Sequence, residues 1–304
     1  MPLFRFAFDA MGSSNELQVW HDDESRACSL ARTAIDDVRR IEAKYSRYRD
    51  DSATSRINRG AGGAPVAIDS ETFALLRYAD TCHAMSGGRF DLTSGVLRRV
   101  WDFRRSPPRL PDDAEIAAAS ALVDWPAVEW SDRSVRLPRA GMEIDFGGIG
   151  KEYAADRMAT ICIESGVAHA LANLGGDVRV TGPQPNGLPW RVGISHPRQV
   201  DVVLATVELS SGALATSGDY ERYFEIDGRR YCHIIDARSG RPVSRWQSVS
   251  VLAPLCVVAG TCATVAMLLE ADAESFLARQ GLDYVAVDTE GAIRRSSAVV
   301  SAQQ

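Results

Sequence analysis

The stretch Ile144-Asp145-Phe146-Gly147-Gly148-Ile149-Gly150-Lys151-Glu152-Tyr153-Ala154-Ala155-Asp156 decides how this chain is read. Its pattern predicts a short apolar strand ending in a carboxylate, then a glycine-rich turn. An amphipathic helix over about 149–164 follows, with Lys151 in its first turn. Glycines let backbone N–H groups approach a ligand closely, and a helix N-terminus favours anions. Such a build suits a phosphate or pyrophosphate, with Lys151 as a point charge. The spacing is neither that of a Walker loop nor that of the dinucleotide fingerprint G-x-G-x-x-G. Taken alone, the stretch also reads as an ordinary strand, turn and helix with a surface lysine.

On either side the hydrophobic periodicity gives a coarse map. Leu3 to Phe8 and Glu16 to Trp20 read as strands around Met11-Gly12-Ser13. Ala27, Leu30, Ala34, Val38 and Ile41 recur at helical steps and predict a long helix over about 23–45. A second helix over about 70–85 is stopped by Ser86-Gly87-Gly88. Prolines between Arg104 and Asp113 predict an exposed excursion, and 128–137 reads as a hairpin turning at Ser131-Asp132-Arg133. Arg222 to Ile226 and Tyr231 to Ile235 flank Asp227-Gly228, a strong hairpin signal. The last quarter gives a strand over 248–252, a helix over about 257–269, a shorter helix, and strands near Asp283 and Ile293. Helices mixed with hairpins, without βαβ alternation, indicate α+β rather than a doubly wound sheet.

Composition narrows the class. At 45% hydrophobic residues, the 304-residue chain can bury a sizeable core without disulfide staples. A formal net charge of −6 argues against nucleic acid as a partner, and the pairs Arg98-Arg99 and Arg104-Arg105 read as a solvated edge. The six cysteines form no C-x-x-C pair and sit mostly in apolar stretches, as reduced core residues of a cytoplasmic protein do. The N-terminus lacks the layout of a secretory signal, and no stretch approaches the ~18 apolar residues of a membrane span.

Further polar, glycine-bearing segments punctuate the apolar background. They are Met11-Gly12-Ser13; Tyr45-Ser46-Arg47-Tyr48 with Asp51-Ser52 and Asn58; Ser86-Gly87-Gly88-Arg89-Phe90-Asp91-Leu92-Thr93; Asn173-Leu174-Gly175-Gly176-Asp177; Thr216-Ser217-Gly218-Asp219-Tyr220; and His233-Ile234-Ile235-Asp236-Ala237-Arg238-Ser239-Gly240. Each alone is ordinary turn chemistry. Together, in this order, they resemble the ApbE-type family of FAD:protein FMN transferases, from Met11 to about Leu269.

The resemblance implies one large ApbE-like (T-fold-related) α+β domain over 1–304, with mixed, mainly antiparallel sheets and flanking helices. It implies an enzyme of protein flavinylation that binds FAD and Mg²⁺, attaches FMN to a Ser or Thr hydroxyl of an acceptor flavoprotein, and releases AMP. By motif position it places FAD against Met11, Tyr48, Arg89, Phe90, Asp91, Asp145, Lys151 and Ile235. The metal falls on the Gly148 carbonyl and Thr264, and His233 matches the proton acceptor for the incoming hydroxyl. Met11 and Tyr48 are equally readable as packing residues. The remaining histidines, His21, His83, His169 and His196, fall outside the motifs.

Three positions depart from the family pattern. Ala259-Gly260-Thr261-Cys262-Ala263-Thr264 carries Gly260 where the family has a metal-binding aspartate. Glu152 replaces a common glycine after the lysine, and Ala237 a common proline. Mg²⁺ prefers hard oxygen ligands and usually one or two carboxylates. The vacancy at Gly260 therefore leaves three expectations: a substitute carboxylate (Asp145, Asp219 or Asp236) or water filling the vacancy while the FAD phosphates hold the ion; a non-catalytic FAD-binding or flavin-carrier protein; or an FAD pyrophosphatase in which water replaces the acceptor.

Overall fold

A computed structural model describes residues 1–296. An eight-stranded sheet organises it, in spatial order Leu3–Ala10, Ser13–Trp20, Ala170–Leu174, Asp177–Val180, Gly212–Gly218, Trp246–Ala253, Asp283–Asp288 and Ile293–Arg295. Every pairing in it is antiparallel, and so are those of the smaller sheets among the described residues; the expected mixed character is absent there.

Period-two patterning splits the side chains of this sheet between two cores. Ala170, Ala172, Leu174, Ala213, Ala215, Val249 and Val251 face the main core with the helices. Leu171, Val178, Val180 and Leu214 face the other side, where the hairpin of Trp190–Ser195 and Val203–Leu209 covers them. On the helical side lie α1 (Glu24–Tyr45), α2 (Ala53–Arg59) and α3 (Ser70–Met85), then α5 (Gly150–Glu164), α6 (Cys256–Leu269) and α7 (Ala273–Gln280), while α4 (Asp113–Ser120) packs through Ile116 and Ala119 in a separate cluster with Val96, Leu97, Trp101 and Phe224. Helix α1 begins where Asp23 accepts from the Arg26 backbone N–H at 3.1 Å, and it buries the apolar stripe read from the sequence.

Cys256–Gln280 is long and apolar enough to cross a membrane by length and composition. Its α6 portion is nevertheless core: Cys256, Ala259, Ala263, Val265, Ala266 and Met267 are fully buried. No residue of α6 caps its own start. Asp156 of α5 does so instead, its two oxygens accepting from the N–H groups of Cys256 (2.8 Å) and Val257 (2.9 Å). This cross-helix cap fixes the pairing of α5 with α6, on which the site depends.

Two local expectations are corrected. Ile144-Asp145 forms no strand; Asp145 is extended but takes no ladder partner, and its side chain accepts from the Gly147 N–H at 2.9 Å to open a 3₁₀ turn, Phe146–Gly148. The segment expected as one strand from Tyr231 to Ile235 is divided. Arg229–Cys232 pairs with Tyr223–Ile226, while Ile235–Asp236 pairs with Arg241–Pro242. The 104–113 excursion carries no regular element before α4 and is exposed except at Pro111.

Candidate active site

Two adjoining cavities open beside the glycine turn. The first, about 370 Å³, is lined by Arg89-Phe90-Asp91, the 145–152 turn, Gly175 to Asp177, Thr216 to Gly218 and Thr264. The second, about 600 Å³, is lined by Arg47, Tyr48, Trp101, Phe103 and Arg104. Arg98, Glu221, Arg222 and His233 line both, so the seam between the cavities is charged.

Close approach explains several glycines. A Cβ on Gly148 would stand 3.1 Å from the Phe90 ring, and one on Gly95 would stand 3.2 Å from the Asp145 Cβ. The 3₁₀ helix Leu92–Arg99 therefore lies tight against the glycine turn and delivers Arg98 to the seam. Its start is held by Asp91, whose Oδ1 accepts from the N–H and hydroxyl of Thr93 (2.7 and 2.5 Å) while Oδ2 accepts from the Trp125 N–H (3.2 Å).

The carboxylates expected to replace the missing one at position 260 are occupied by arginines. Asp145 pairs with Arg47 and Arg98, each at 3.1 Å. Asp219 takes Arg198 (2.6 Å) and Arg230 (3.5 Å), and Asp236 takes Arg89. Guanidinium groups hold each in place. Arg98 is also no solvated edge: burial lowers its pKa, against the pull of Asp145, and it faces the seam.

The floor of the first cavity is a buried charge cluster. Lys151 donates to Asp177 Oδ2 at 2.9 Å and to the Gly175 carbonyl at 3.4 Å. Burial disfavours the Lys151 ammonium, but Asp177 and Glu152 outweigh it and hold its pKa above the ordinary lysine value. Burial raises Asp177 above the ordinary carboxyl range, with Lys151 opposing. Glu152 is pushed up to about 7, by burial first and by Asp177 second. The Oε2 atom of Glu152 is buried without a hydrogen-bond partner.

His233 is held by its backbone N–H, which donates to the Arg222 carbonyl at 3.0 Å; its Nδ1 is buried and unpartnered. Burial, then the positive charges of Arg222 and Arg98, push its pKa down to about 4. The imidazole is therefore neutral at neutral pH, with a lone pair free to take a proton. A folded-state pKa below the unfolded value near 6.5 means stability is fully present above about pH 6.5 and is lost as pH falls toward 4. Urea unfolding at pH 7.5 and pH 5 is expected to show this loss, and His233→Gln is expected to reduce it.

Of the residues expected from the sequence, Arg89, Phe90, Asp91, Asp145, Gly148, Lys151, His233, Ile235 and Thr264 line the first cavity. Tyr48 lines the second, with the guanidinium groups of Arg47 (4.7 Å from the ring centroid) and Arg104 (5.2 Å) over its ring. Burial raises the Tyr48 phenol, but the hydrogen bond from Arg47 prevails and its pKa is lowered. Met11 lines neither cavity; it packs on the main core, and its N–H donates to Glu42 at 2.6 Å. Arg98, Arg222 and Arg104 were not read as site residues. The arginine runs look like surface until the 3₁₀ helix turns Arg98 inward.

The donor set also fits a hard divalent cation, although no cluster of three or more His, Cys, Asp or Glu side chains exists among the described residues. Gly148 contributes a backbone carbonyl and Thr264 a hydroxyl, which is 2.8 Å from the Ser217 hydroxyl. Glu152, whose Oε2 is buried without a hydrogen-bond partner, lines the same cavity. Oxygen donors with substrate phosphates completing the shell are what Mg²⁺ takes.

This fold has known counterparts. A model of the ApbE family matches residues 11–286, and the chain belongs to that family. It is 34% identical over 236 residues to a FAD:protein FMN transferase of Vibrio cholerae, covering 75% of this chain and 70% of the relative. A FAD:protein FMN transferase of Salmonella typhimurium is 30% identical over 290 residues, covering 92% of this chain and 83% of the relative. Among solved structures, an ApbE protein of Thermotoga maritima superposes with a TM-score of 0.89 at 32% identity, covering 97% of each chain. The apo form of the Pseudomonas stutzeri flavinyl transferase ApbE gives a TM-score of 0.87 at 28% identity, covering 97% of this chain and 95% of that one.

Proposed function

We propose that this chain transfers FMN from FAD to a Ser or Thr hydroxyl of an acceptor flavoprotein, releasing AMP with the help of Mg²⁺. The observation that carries the reading is the pair of cavities meeting at Arg98, Arg222 and His233. A dinucleotide has two bulky ends and a charged middle. The first cavity takes one nucleoside beside Arg89, Phe90, Asp91 and Ile235, and Tyr48 faces the other. The pyrophosphate then lies along Lys151, Arg98 and Arg222, where fixed positive charges need no rearrangement as charge shifts.

In this reading the acceptor hydroxyl reaches the FMN phosphorus at the seam. His233 takes the hydroxyl proton, the new P–O bond forms, and the bond to the AMP phosphate oxygen breaks. The arginines and Lys151 carry the charge that gathers on the leaving AMP. Held by Gly148 and Thr264, Mg²⁺ would neutralise phosphate charge and orient the two phosphoryl groups. The site needs no nucleic-acid partner. All six cysteines are free and five of them buried, which supports a reducing, cytoplasmic setting. One core cluster runs from Phe8 to Ala286, which supports a single domain.

The test is chromatography of FAD incubated with the purified protein and a threonine-bearing acceptor domain. AMP is expected to appear in step with acceptor consumed. AMP at the same rate without acceptor would instead identify a pyrophosphatase, and intact FAD a carrier.

A further inference from the structure

The structure assigns Glu152 as the carboxylate of the cation site, occupying the space that Gly260 leaves open. The inference rests on the flavin-transfer reading above, because that reading calls for a cation. Its own support is geometric.

Glu152 and Gly260 touch. A Cβ built on Gly260 would stand 2.5 Å from Glu152 Cγ, 2.8 Å from Oε1 and 3.0 Å from Cδ. Real Cβ atoms do not come so close, so the Glu152 side chain fills the volume that any side chain at 260 would use. The contact is set by the two helices. Asp156 caps α6 at Cys256 and Val257, and one turn back along α5 and one turn forward along α6 bring Glu152 against Gly260. Thr264 lies one further turn along α6 and, like Glu152 and Gly148, lines the first cavity.

A carboxylate in this position needs a partner. Glu152 is only 8% exposed, and its Oε2 is buried with nothing to bond. An unpaired buried polar oxygen is costly, and persists where a ligand supplies the missing contact. The other buried carboxylates lining this cavity are committed: Asp91 to Thr93 and Trp125, Asp145 to Arg47 and Arg98, Asp177 to Lys151 and the Thr216 N–H, while Glu221 is exposed at the seam, where water solvates it. Glu152 is the buried one with an oxygen left over. The two departures from the family pattern, acidic for glycine at 152 and glycine for acidic at 260, are thus one exchange: the carboxylate has moved from α6 to α5 across a contact, and the volume has moved with it.

The experiment follows Mn²⁺, a paramagnetic substitute for Mg²⁺, by electron paramagnetic resonance in the presence of FAD and full-length protein, with no turnover needed. Glu152→Gln keeps the shape and removes the charge. It is expected to weaken Mn²⁺ binding by about 100-fold, the upper end of what even outer-shell changes cost a metal site. Gly260→Asp alone is expected to lower the unfolding temperature and gain no Mn²⁺ affinity, because its Cβ meets Glu152. The double exchange Glu152→Gly with Gly260→Asp is expected to restore both stability and Mn²⁺ binding. Wild-type binding retained in Glu152→Gln would overturn the assignment. So would a double variant no more stable than Gly260→Asp, or one that folds and leaves Mn²⁺ free. Wild-type protein that holds FAD but no Mn²⁺ would overturn the cation reading together with it, whereas AMP release and acceptor labelling report separately on the transfer reading.

Discussion

Replacing His233 by alanine is expected to slow FMN transfer by about 10²–10⁴-fold while FAD still binds, the range general-base removal commonly costs. The reasons lie in the geometry. His233 lines both cavities, its Nδ1 has no partner, and burial with Arg222 and Arg98 pushes its pKa down to about 4. The imidazole is therefore neutral at every ordinary assay pH, and the negative pyrophosphate bound along the seam would offset the two arginines and raise its basicity toward the working range. The seam arginines and Lys151, which hold the pyrophosphate in this account, are untouched by the substitution. Single-turnover AMP release, read beside equilibrium FAD binding, separates the two effects. A variant that transfers at the wild-type rate would remove His233 from the chemistry.

The second large effect is expected at Lys151. Its ammonium is the partner of Asp177, whose side chain is 3% exposed, and Lys151→Met leaves that carboxylate buried with only the Thr216 N–H. Breaking a buried pair by removing one member typically costs about 3–5 kcal/mol, so urea unfolding is expected to show a loss of that order. The double variant Lys151→Met with Asp177→Asn is expected to recover much of the stability, because no charge is stranded. It is not expected to recover FAD affinity, because the cation facing the pyrophosphate is still gone. Recovery of both together would mean that Lys151 serves only the fold.

Much of this was legible in the sequence because local patterns and global packing agree. The stripe of Ala27, Leu30, Ala34, Val38 and Ile41 became the buried face of α1, and Asp227-Gly228 turned a hairpin as its type demands. Ile144-Asp145 misled because an apolar pair before a turn looks like a strand end, whereas Asp145 spends its side chain on capping the 3₁₀ turn. Arg98 was hidden by its neighbours. A run of arginines reads as surface until one learns that Gly95 lets the chain press against Asp145 and aims Arg98 into the seam. Met11 matched by motif position, yet it lies in the turn between the first two strands, outside either cavity.

The deepest gap was the carboxylate. Asp145, Asp219 and Asp236 were natural substitutes by sequence motif, and each is already paired with an arginine. The signal that pointed to Glu152 was present in the chain as two opposite departures, a gained acid at 152 and a lost one at 260. Only the helix pairing through Asp156 makes them neighbours.

The most direct test of the central claim is the intact mass of a threonine-bearing acceptor domain after incubation with this protein, FAD and Mg²⁺, compared with the same mixture in EDTA. The account predicts a mass gain equal to one FMN attached through its phosphate, present with Mg²⁺, suppressed by EDTA, and matched by AMP in solution. An acceptor that stays unmodified under both conditions, across acceptor domains that a known relative does modify, would contradict it.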